Sequence, residues 1–195
     1  MMYVVFEGID GVGKSTQIEL LKAVYPRAVF SYEPGATRLG AHLRELLLEK
    51  DAKFSKRAEI LLFLADRAEH YEQILRANAD KLIIADRSFI SGIAYANKSF
   101  EFERLLSLNA FALNEFFPQK CVFLKADEAL LKERFAAKGL DKIEQRGTGY
   151  FMSVQNALEE CLALLEKKLN LRVLTLDARE SVAHLHEQIK EFIDD

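Results

Sequence analysis

The sequence predicts an α/β protein of three layers, in which helices cover both faces of a parallel sheet. Short apolar runs alternate with longer helical patterns along the 195-residue chain, and strands that alternate with helices form parallel sheets joined by right-handed crossovers. The runs are also apolar throughout, as expected for strands buried on both faces. Five such runs predict five strands, at residues 3–7, 28–31, 82–86, 121–124 and 172–176.

The helical patterns indicate how the core is closed. Apolar residues recur every three to four positions in 154–169 and in 182–192, which predicts helices with one face on the core. The run 102–117 is apolar on most sides, so part of it is expected to leave the monomer core and to form a homodimer surface. With three prolines and no linker or repeat, residues 1–195 are predicted to form one domain.

Composition argues against several classes of function. The 27 basic and 30 acidic residues give a net charge of −3, so no basic field favours nucleic acid as a partner. The apolar start lacks a basic leader region and no apolar stretch approaches the roughly 18 residues of a membrane span, so we expect a cytoplasmic protein without membrane contact. Cys121 and Cys161 lack metal-ligand spacing and are expected to be buried thiols. The histidines show no metal or nucleophile arrangement, and we assign them no role.

A glycine-rich turn follows the first predicted strand and precedes a helical pattern at 17–24. It matches the phosphate-binding P-loop, in which main-chain N–H groups and a helix N-terminus surround phosphates. Lys14 is expected to reach the β- and γ-phosphates of a nucleoside triphosphate, and the Ser15 hydroxyl to ligate Mg²⁺. A glycine turn with an incidental Lys-Ser pair is the alternative. The predicted nucleotide-binding residues are Gly8, Ile9, Asp10, Gly11, Val12, Gly13, Lys14, Ser15 and Thr16.

The P-loop alone does not distinguish a kinase from a GTPase switch or an ATP-driven machine. A guanine-specific switch would carry an Asn-Lys-x-Asp base reader. The nearest candidate in this chain ends in phenylalanine instead of aspartate, Asn97-Lys98-Ser99-Phe100. The GTPase alternative is weakened accordingly.

Several ordered motifs extend the argument beyond the P-loop. They are Glu7-Gly8-Ile9-Asp10, Glu33-Pro34-Gly35-Ala36-Thr37, Phe63-Leu64-Ala65-Asp66-Arg67 and Asp86-Arg87-Ser88. Through these motifs the chain resembles the thymidylate kinases, which phosphorylate dTMP. The resemblance implies a P-loop fold with a small lid, transfer of the γ-phosphate of ATP to dTMP with Mg²⁺, and a homodimer.

Two of these motifs predict contacts to the acceptor nucleotide. Phe63 and Arg67 are four apart in the helical pattern 55–78, so they share a face that offers a flat ring beside several donors, which suits a pyrimidine base. A core phenylalanine and a surface ion pair are the alternative. Pro34 keeps Glu33 extended at a strand end, so its carboxylate is expected in the crevice, and the resemblance places this segment beside the acceptor phosphate and Mg²⁺. A solvated turn is the alternative.

The motif after the third predicted strand brings an acid and a base to the same edge of the sheet. Arg87 is expected to bind the acceptor phosphate and Asp86 to orient Mg²⁺-bound water, with a structural salt bridge as the alternative. The resemblance further implies that Tyr95 lies against the deoxyribose, that Ser91 contributes to the acceptor site, and that Asp10 approaches the 3′-hydroxyl.

A charged, glycine-containing segment at about 138–149 is the predicted lid, which would close on the substrates and exclude water. The tip of the P-loop carries no basic residue, so the resemblance implies that the lid supplies the catalytic cation. Lys138 and Lys142 are the candidates, flanked by Arg134 and Arg146. A solvated helix connection is the alternative.

The sequence departs from the usual pattern of the family at two positions beside its motifs. Tyr32 stands where arginine is usual, and Ala96 where glutamine is common. Two other functions stay open at this point. A deoxynucleoside kinase also combines a P-loop with Glu-Pro and acidic-Arg-Ser elements, and a nucleotide-binding switch would bind ATP without turnover.

Overall fold

The structure, a computed structural model, describes residues 2–49, 53–96, 99–138 and 147–195. Its strands, numbered in chain order, are β1 Met2–Glu7, β2 Val29–Tyr32, β3 Leu82–Asp86, β4 Lys120–Lys125 and β5 Arg172–Asp177. All neighbouring strands pair in parallel, in the order β2-β3-β1-β4-β5. Each predicted strand is present, with small shifts at its ends.

Helices connect these strands. They are α1 Lys14–Val24, α2 Arg38–Leu48, α3 Lys56–His70, α4 Phe89–Ala96, α5 Phe102–Leu113, α6 Glu128–Lys138, α7 Thr148–Leu169 and α8 Val182–Asp194. None of the helices in the described part of the chain is long and apolar enough to cross a membrane.

The core is centred on β1 and β4. Every residue of β1 after Met2 is buried, and so is every residue of β4 before Lys125. Because successive side chains of a strand point to opposite faces, this burial means that both faces of the sheet are covered. Among the covering helices α4 packs against α7, and α1 packs against α8. The predicted three-layer α/β fold with a five-stranded parallel sheet is confirmed.

The helical pattern at 55–78 is divided into three segments. Ser55 caps α3, because its hydroxyl accepts a hydrogen bond from the Ala58 N–H at 3.2 Å. α3 ends at His70 and is followed by a π-helical turn at Tyr71–Leu75 and a 3₁₀ turn at Arg76–Asn78. Residues 63 and 67 lie inside the regular part, so the predicted sharing of one helix face holds.

The apolar run at 102–117 is shorter as a helix than its pattern suggests. Asn114 and Glu115 have φ of 47° and 59°, and this left-handed backbone ends α5 at Leu113. Phe111 of α5 is 87% exposed, and Leu61 on the neighbouring α3 is 60% exposed. The surface is therefore apolar as predicted, and the homodimer stays a prediction.

Strand order locates the crevice in which a ligand can bind. β1 lies between β3 and β4, so the connections leaving the two sides of β1 diverge. Open parallel sheets bind ligands at such a point, outside the carboxyl ends of the strands. Phe6 of β1 pairs with Asp86 of β3, which brings the last residues of both strands to one edge.

Candidate active site

The glycine-rich loop between β1 and α1 has the backbone of a phosphate cradle. Gly8, Gly11 and Gly13 have φ of 143°, 83° and 100°, values that side-chain-bearing residues rarely adopt. A Cβ at Gly8 would lie 2.6 Å from the carbonyl oxygen of Leu124, so only glycine permits this approach to β4. Within the described residues no side chain caps α1, which begins at Lys14, so its first N–H groups face the loop.

The other predicted loop residues divide into anchors and exposed groups. Ile9 and Val12 are buried in the core and anchor the loop to the sheet. The side chains of Asp10, Ser15 and Thr16 are exposed at the crevice end of the loop. The exposed polar groups are thus the ones available to a ligand.

The Lys14 ammonium is held inside the loop. Its Nζ donates hydrogen bonds to the carbonyl oxygens of Gly8 at 2.8 Å and Ile9 at 2.9 Å, and the residue is only 6% exposed. Burial, assisted by the positive charge of Arg87, lowers the pKa of Lys14 to about 8. The bonded partners of this ammonium are neutral carbonyl oxygens, and a phosphate entering the loop would give it an anionic partner.

Two oxygen-bearing side chains meet beside the loop. The Ser15 hydroxyl lies 3.4 Å from Oδ2 of Asp86, and Oδ1 of Asp86 is buried without a hydrogen-bond partner in the described part of the chain. A buried carboxylate oxygen without a partner is costly unless a ligand or cation satisfies it. Hydroxyl and carboxylate oxygens are ligands that suit Mg²⁺, so the residues present fit this ion.

Arg87 joins β3 to the phosphate loop. Its φ is 67°, a strained conformation for a residue with a side chain, and its N–H donates to the carbonyl oxygen of Phe6 at 2.9 Å. The guanidinium donates to Oδ1 of Asp10 at 2.5 Å and to the Ser91 hydroxyl at 3.1 Å. Three predicted site residues are thereby brought together.

Glu7 contacts Ser91, which in turn contacts Arg87, and it was not among the predicted site residues. It is fully buried and accepts hydrogen bonds from the hydroxyls of Ser88 and Ser91. Burial raises its pKa, against the opposing influence of the Ser91 hydrogen bond and the Arg87 charge. Its position at the end of β1 is the same strand-end signal that identified Asp86, and that signal could have indicated Glu7.

Glu33 lies in the interior and not at the crevice surface. It is 4% exposed, and Arg67 Nε and His70 Nδ1 each lie 2.8 Å from a different oxygen of its carboxylate. Burial alone would raise its pKa, but the Arg67 charge and the His70 hydrogen bond outweigh burial and hold the pKa at about 2. The predicted placement of Glu33 as a crevice-facing metal ligand needs correction, because both of its oxygens are engaged by buried partners.

The turn that carries Glu33 is fixed against α3. The peptide bond between Glu33 and Pro34 is cis, and Gly35 has φ of 117°. The Gly35 N–H donates to Oδ1 of Asp66 at 3.0 Å, and Arg44 donates to the carbonyl oxygen of Pro34 at 2.7 Å. These two hydrogen bonds attach the turn to α2 and α3, so it is not a solvated loop.

The predicted base-binding pair lies on one face of α3, with different surroundings for each member. Arg67 is 3% exposed and also donates to the Asn109 side chain at 2.6 Å, so it is not a surface ion pair. Phe63 is half-buried, whereas its neighbour Leu64 belongs to the buried residues. Tyr95, on α4, is 45% exposed. Desolvation raises the pKa of its hydroxyl to about 12, and the nearby positive charge of Arg87 opposes this rise.

One basic residue of the predicted lid region contacts the loop. Arg134 of α6 donates to the carbonyl oxygens of Gly11 at 2.7 Å and Ala178 at 2.6 Å. The side chain of Lys138, together with Lys142 and Arg146, lies outside the described residues.

His70 and Asn109 are the other residues that sequence analysis missed. His70 was assigned no role, yet it is fully buried between Ser31 and Glu33. Its position three residues after Arg67, on the same face of α3, was the available signal. Asn109 lies 42 residues from Arg67 in the sequence, and only the packing of α5 on α3 brings the two together.

The phosphate cradle, the Ser15–Asp86 oxygen pair and the arginines at the same sheet edge define a P-loop nucleotide kinase. A family model described as "Thymidylate kinase" matches residues 6–189. The chain is 62% identical to a thymidylate kinase of Campylobacter jejuni subsp. doylei, over 98% of this chain and 100% of that protein. It is 54% identical to a thymidylate kinase of Campylobacter lari over the whole of both chains. The chain belongs to the thymidylate kinase family.

A solved structure agrees on the fold. The thymidylate kinase of Ehrlichia chaffeensis superposes with a TM-score of 0.73, covering 100% of this chain and 98% of that one. At 24% sequence identity this likeness supports the fold alone.

Proposed function

We propose that the protein transfers the γ-phosphoryl group of ATP to dTMP, giving ADP and dTDP. The observation that carries this proposal is the pairing of two cationic groups at one sheet edge. The Lys14 ammonium is bonded to the Gly8 and Ile9 carbonyl oxygens of the phosphate loop, and the Arg87 guanidinium is joined to Asp10 of the same loop. Two nearby cations with access to one crevice suit two phosphate groups that must meet there.

The donor nucleotide would occupy the loop. The N–H groups of the loop and of the first turn of α1 would bind the phosphate oxygens, and Lys14 would leave its carbonyl partners to contact the β- and γ-phosphates. Ser15 and Asp86 would hold Mg²⁺, which would neutralise negative charge on the donor phosphates. Arg134 donates a hydrogen bond to the Gly11 carbonyl oxygen of the same loop and would lie on the donor side.

The acceptor phosphate would bind Arg87. The guanidinium is planar and its present partners, Asp10 and Ser91, are exchangeable side-chain groups at the crevice. A phosphate can therefore replace one of these partners and accept two hydrogen bonds from the planar guanidinium. Asp10 would then approach the 3′-hydroxyl of the acceptor, as the resemblance to the family implies.

The acceptor base would lie on α3. Phe63 is half-buried and offers an aromatic face for stacking, which contributes about 1–3 kcal/mol per base in other proteins. Arg67 lies one helical turn further on, with donors suited to a base carbonyl. Tyr95, which is partly exposed on α4, would lie against the deoxyribose.

The transfer itself needs positioning and charge stabilisation more than covalent chemistry. An oxygen of the acceptor phosphate attacks the γ-phosphorus in line, while the bond to the oxygen bridging the β- and γ-phosphates breaks and that oxygen leaves with ADP. Lys14 and Arg87 stabilise the charge on the transferred group. The predicted lid cations Lys138 and Lys142 would add positive charge to this set.

A panel of acceptors tests the proposal. The purified protein is incubated with ATP and Mg²⁺ and with each nucleoside and deoxynucleoside monophosphate, and ADP formation is followed. We expect the highest kcat/KM with dTMP. ADP formation independent of any acceptor, or binding of ATP without turnover, would identify the switch alternative instead.

An assay with thymidine in place of dTMP distinguishes a thymidylate kinase from a deoxynucleoside kinase. Thymidine has no phosphate for Arg87 to bind, so Arg87 would keep its ion pair with Asp10 and would not position the acceptor. We therefore expect no turnover of thymidine above background.

We further propose that the protein acts as a cytoplasmic homodimer. The exposed Phe111 and Leu61 on neighbouring helices supply an apolar surface of the kind that a second copy can cover. The buried, unpaired thiols of Cys121 and Cys161 suit a reducing compartment. Sedimentation should give a dimer for the wild type and a monomer for Phe111→Asp.

A further inference from the structure

Glu7, the last residue of β1, is a buried carboxylate without an ion-pair partner. The residue is fully buried, and none of the ion pairs in the described part of the chain includes it. A buried carboxylate is expensive unless it is paired or well hydrogen-bonded. The hydrogen-bond donors around Glu7 therefore show which groups this carboxylate holds in place.

The carboxylate of Glu7 holds Ser91 by two hydrogen bonds. Oε2 accepts from the Ser91 hydroxyl, and Oε1 lies 3.3 Å from the main-chain nitrogen of Ser91. Oε1 also accepts from the Ser88 hydroxyl at 2.8 Å. Three donors thus converge on two acceptor atoms. Both the backbone and the side chain of Ser91, in the first turn of α4, are therefore fixed to the end of β1.

The direction of these hydrogen bonds extends to Arg87. An ionised carboxylate only accepts, so the single proton of the Ser91 hydroxyl points to Glu7. The Ser91 oxygen therefore faces Nη1 of Arg87, 3.1 Å away, as an acceptor. The backbone N–H of Arg87 donates to the carbonyl oxygen of Phe6, the residue before Glu7. Arg87 is thus held by the last two residues of β1, directly by Phe6 and through Ser91 by Glu7.

The two partners of the Arg87 guanidinium differ in how firmly they are held. Ser91 is 7% exposed and carries both hydrogen bonds to Glu7. The side chain of Asp10, the partner of Nη2, is 50% exposed. An anion that arrives from the crevice therefore displaces Asp10 more readily than Ser91.

We propose that Glu7 is a positioning residue for the acceptor phosphate: it fixes Ser91, and through Ser91 it orients the Arg87 guanidinium so that the phosphate takes the place of Asp10 and not of Ser91. The inference rests on the proposed function and concerns the residue behind its phosphate contact. Arg87 and the phosphate loop are both attached to the end of β1, so the acceptor phosphate is held in a fixed relation to the donor. In-line transfer depends on such a relation.

Glu7→Gln is the first test, because it keeps the shape of the side chain but offers one acceptor atom in place of two. An amide nitrogen at the position of Oε1 would face the Ser91 N–H. At the position of Oε2 it would face the Ser91 hydroxyl, whose proton must then turn toward Arg87. Both orientations loosen Ser91. We expect KM for dTMP to rise about tenfold with KM for ATP little changed, as measured by initial rates with each substrate varied.

Ser91→Ala and the double variant test whether Glu7 acts through Ser91. Alanine suits a helix and removes only the hydroxyl, so Ser91→Ala should raise KM for dTMP by a similar factor. Two substitutions that break the same chain of hydrogen bonds are not additive. The double variant should therefore resemble the more impaired single variant and not the product of the two effects. Leu171→Ala, a buried change directly before β5, is the control for lost stability and should leave both KM values unchanged.

NMR spectra of the arginine side chains test the positioning without turnover. In the free protein the rotation of the Arg87 guanidinium about its Cζ–Nη1 bond should be slow, because Nη1 is bonded to Ser91. Glu7→Gln and Ser91→Ala should each make this rotation faster. The spectrum of Arg87→Lys identifies the signal, since that variant lacks it.

The outcomes separate this inference from the proposed function. If the wild type phosphorylates dTMP but Glu7→Gln keeps its KM, or if the effects of Glu7→Gln and Ser91→Ala multiply, the inference is wrong and the function stands. If Glu7→Gln raises KM for ATP and dTMP equally, the carboxylate only stabilises the crevice as a whole and the inference is again overturned. If the wild type does not phosphorylate dTMP, the proposed function has failed, and the rotation of the Arg87 guanidinium in the two variants still decides whether Glu7 orients it.

Discussion

Nη2 of Arg87 lies 2.5 Å from Oδ1 of Asp10, so an ion pair joins the end of β3 to the phosphate loop. The two residues are 77 positions apart in the sequence. An entering phosphate must compete with Asp10 for the guanidinium, which ties acceptor binding to the geometry of the donor loop.

Replacement of Arg87 by lysine tests this relationship. Lysine keeps the charge but cannot contact Asp10 or a phosphate through a planar fork. We expect Arg87→Lys to lower kcat/KM for dTMP by about ten- to a hundredfold, mostly through KM, with KM for ATP little changed. Initial-rate kinetics with either substrate varied would measure both, and an equal loss for ATP and dTMP would contradict the assignment.

Lys14→Ala should separate catalysis from stability. The lysine stabilises the transferred charge, so its loss should lower kcat by about a hundredfold or more. The same substitution removes a buried ammonium whose pKa falls from 10.5 to about 8, a cost on the order of 3 kcal/mol at pH 7. Thermal unfolding without nucleotide should therefore show a variant at least as stable as the wild type. An unchanged turnover would rule out the role of Lys14.

The depressed pKa of Lys14 also predicts a pH dependence. Below about pH 8 the folded and unfolded chains both hold the proton, so the cost is fully present. Between about 8 and 10.5 only the unfolded chain keeps it, and the stability of the free protein rises with pH in this window.

The affinity for ATP should change with pH in the opposite direction. Bound phosphates raise the pKa of the ammonium, so binding takes up a proton above about pH 8 and ATP affinity falls as pH increases. Calorimetry in buffers of different ionisation enthalpy should detect this uptake. Lys14→Arg, which stays protonated, should show none.

Asp86→Asn addresses the predicted metal. Oδ1 of Asp86 is buried without a partner in the described residues, so removing the charge should not destabilise the free protein. We expect the Mg²⁺ concentration for half-maximal activity to rise about tenfold or more. Titration of activity with Mg²⁺ at saturating ATP measures this, and an unshifted midpoint would remove Asp86 from the metal site.

Glu33 should stabilise the folded protein at neutral pH and lose this contribution in acid. Its pKa is about 2 in the folded protein and 4.5 ordinarily, so its contribution is present above pH 4.5 and is lost as pH falls toward 2. Glu33→Gln leaves Arg67 buried without a charged partner and should lose about 3–5 kcal/mol at pH 7. In denaturant titrations the difference from the wild type should shrink below pH 4.5. A difference that is constant from pH 7 to pH 3 would contradict the buried pair.

The sequence by itself determined those features that depend on local order. Continuous apolar runs predicted strands because burial on both faces is a property of each run. The spacing of the glycines before Lys14 predicted the phosphate loop, since the backbone conformations it needs are available only to glycine. Asp86 and Arg87 were predicted at the crevice because the end of a parallel strand is a position in the sequence as well as in the fold.

Only the tertiary structure decided what lies behind those residues. Glu33 was predicted at the surface of the crevice, and the packing of the β2–α2 turn on α3 buries it between Arg67 and His70. Asn109 reaches the same cluster from α5, which no local pattern indicates. The physical reason is that burial and pairing of a polar side chain depend on neighbours distant in the chain, whereas strand, loop and helix signals depend on neighbours in sequence.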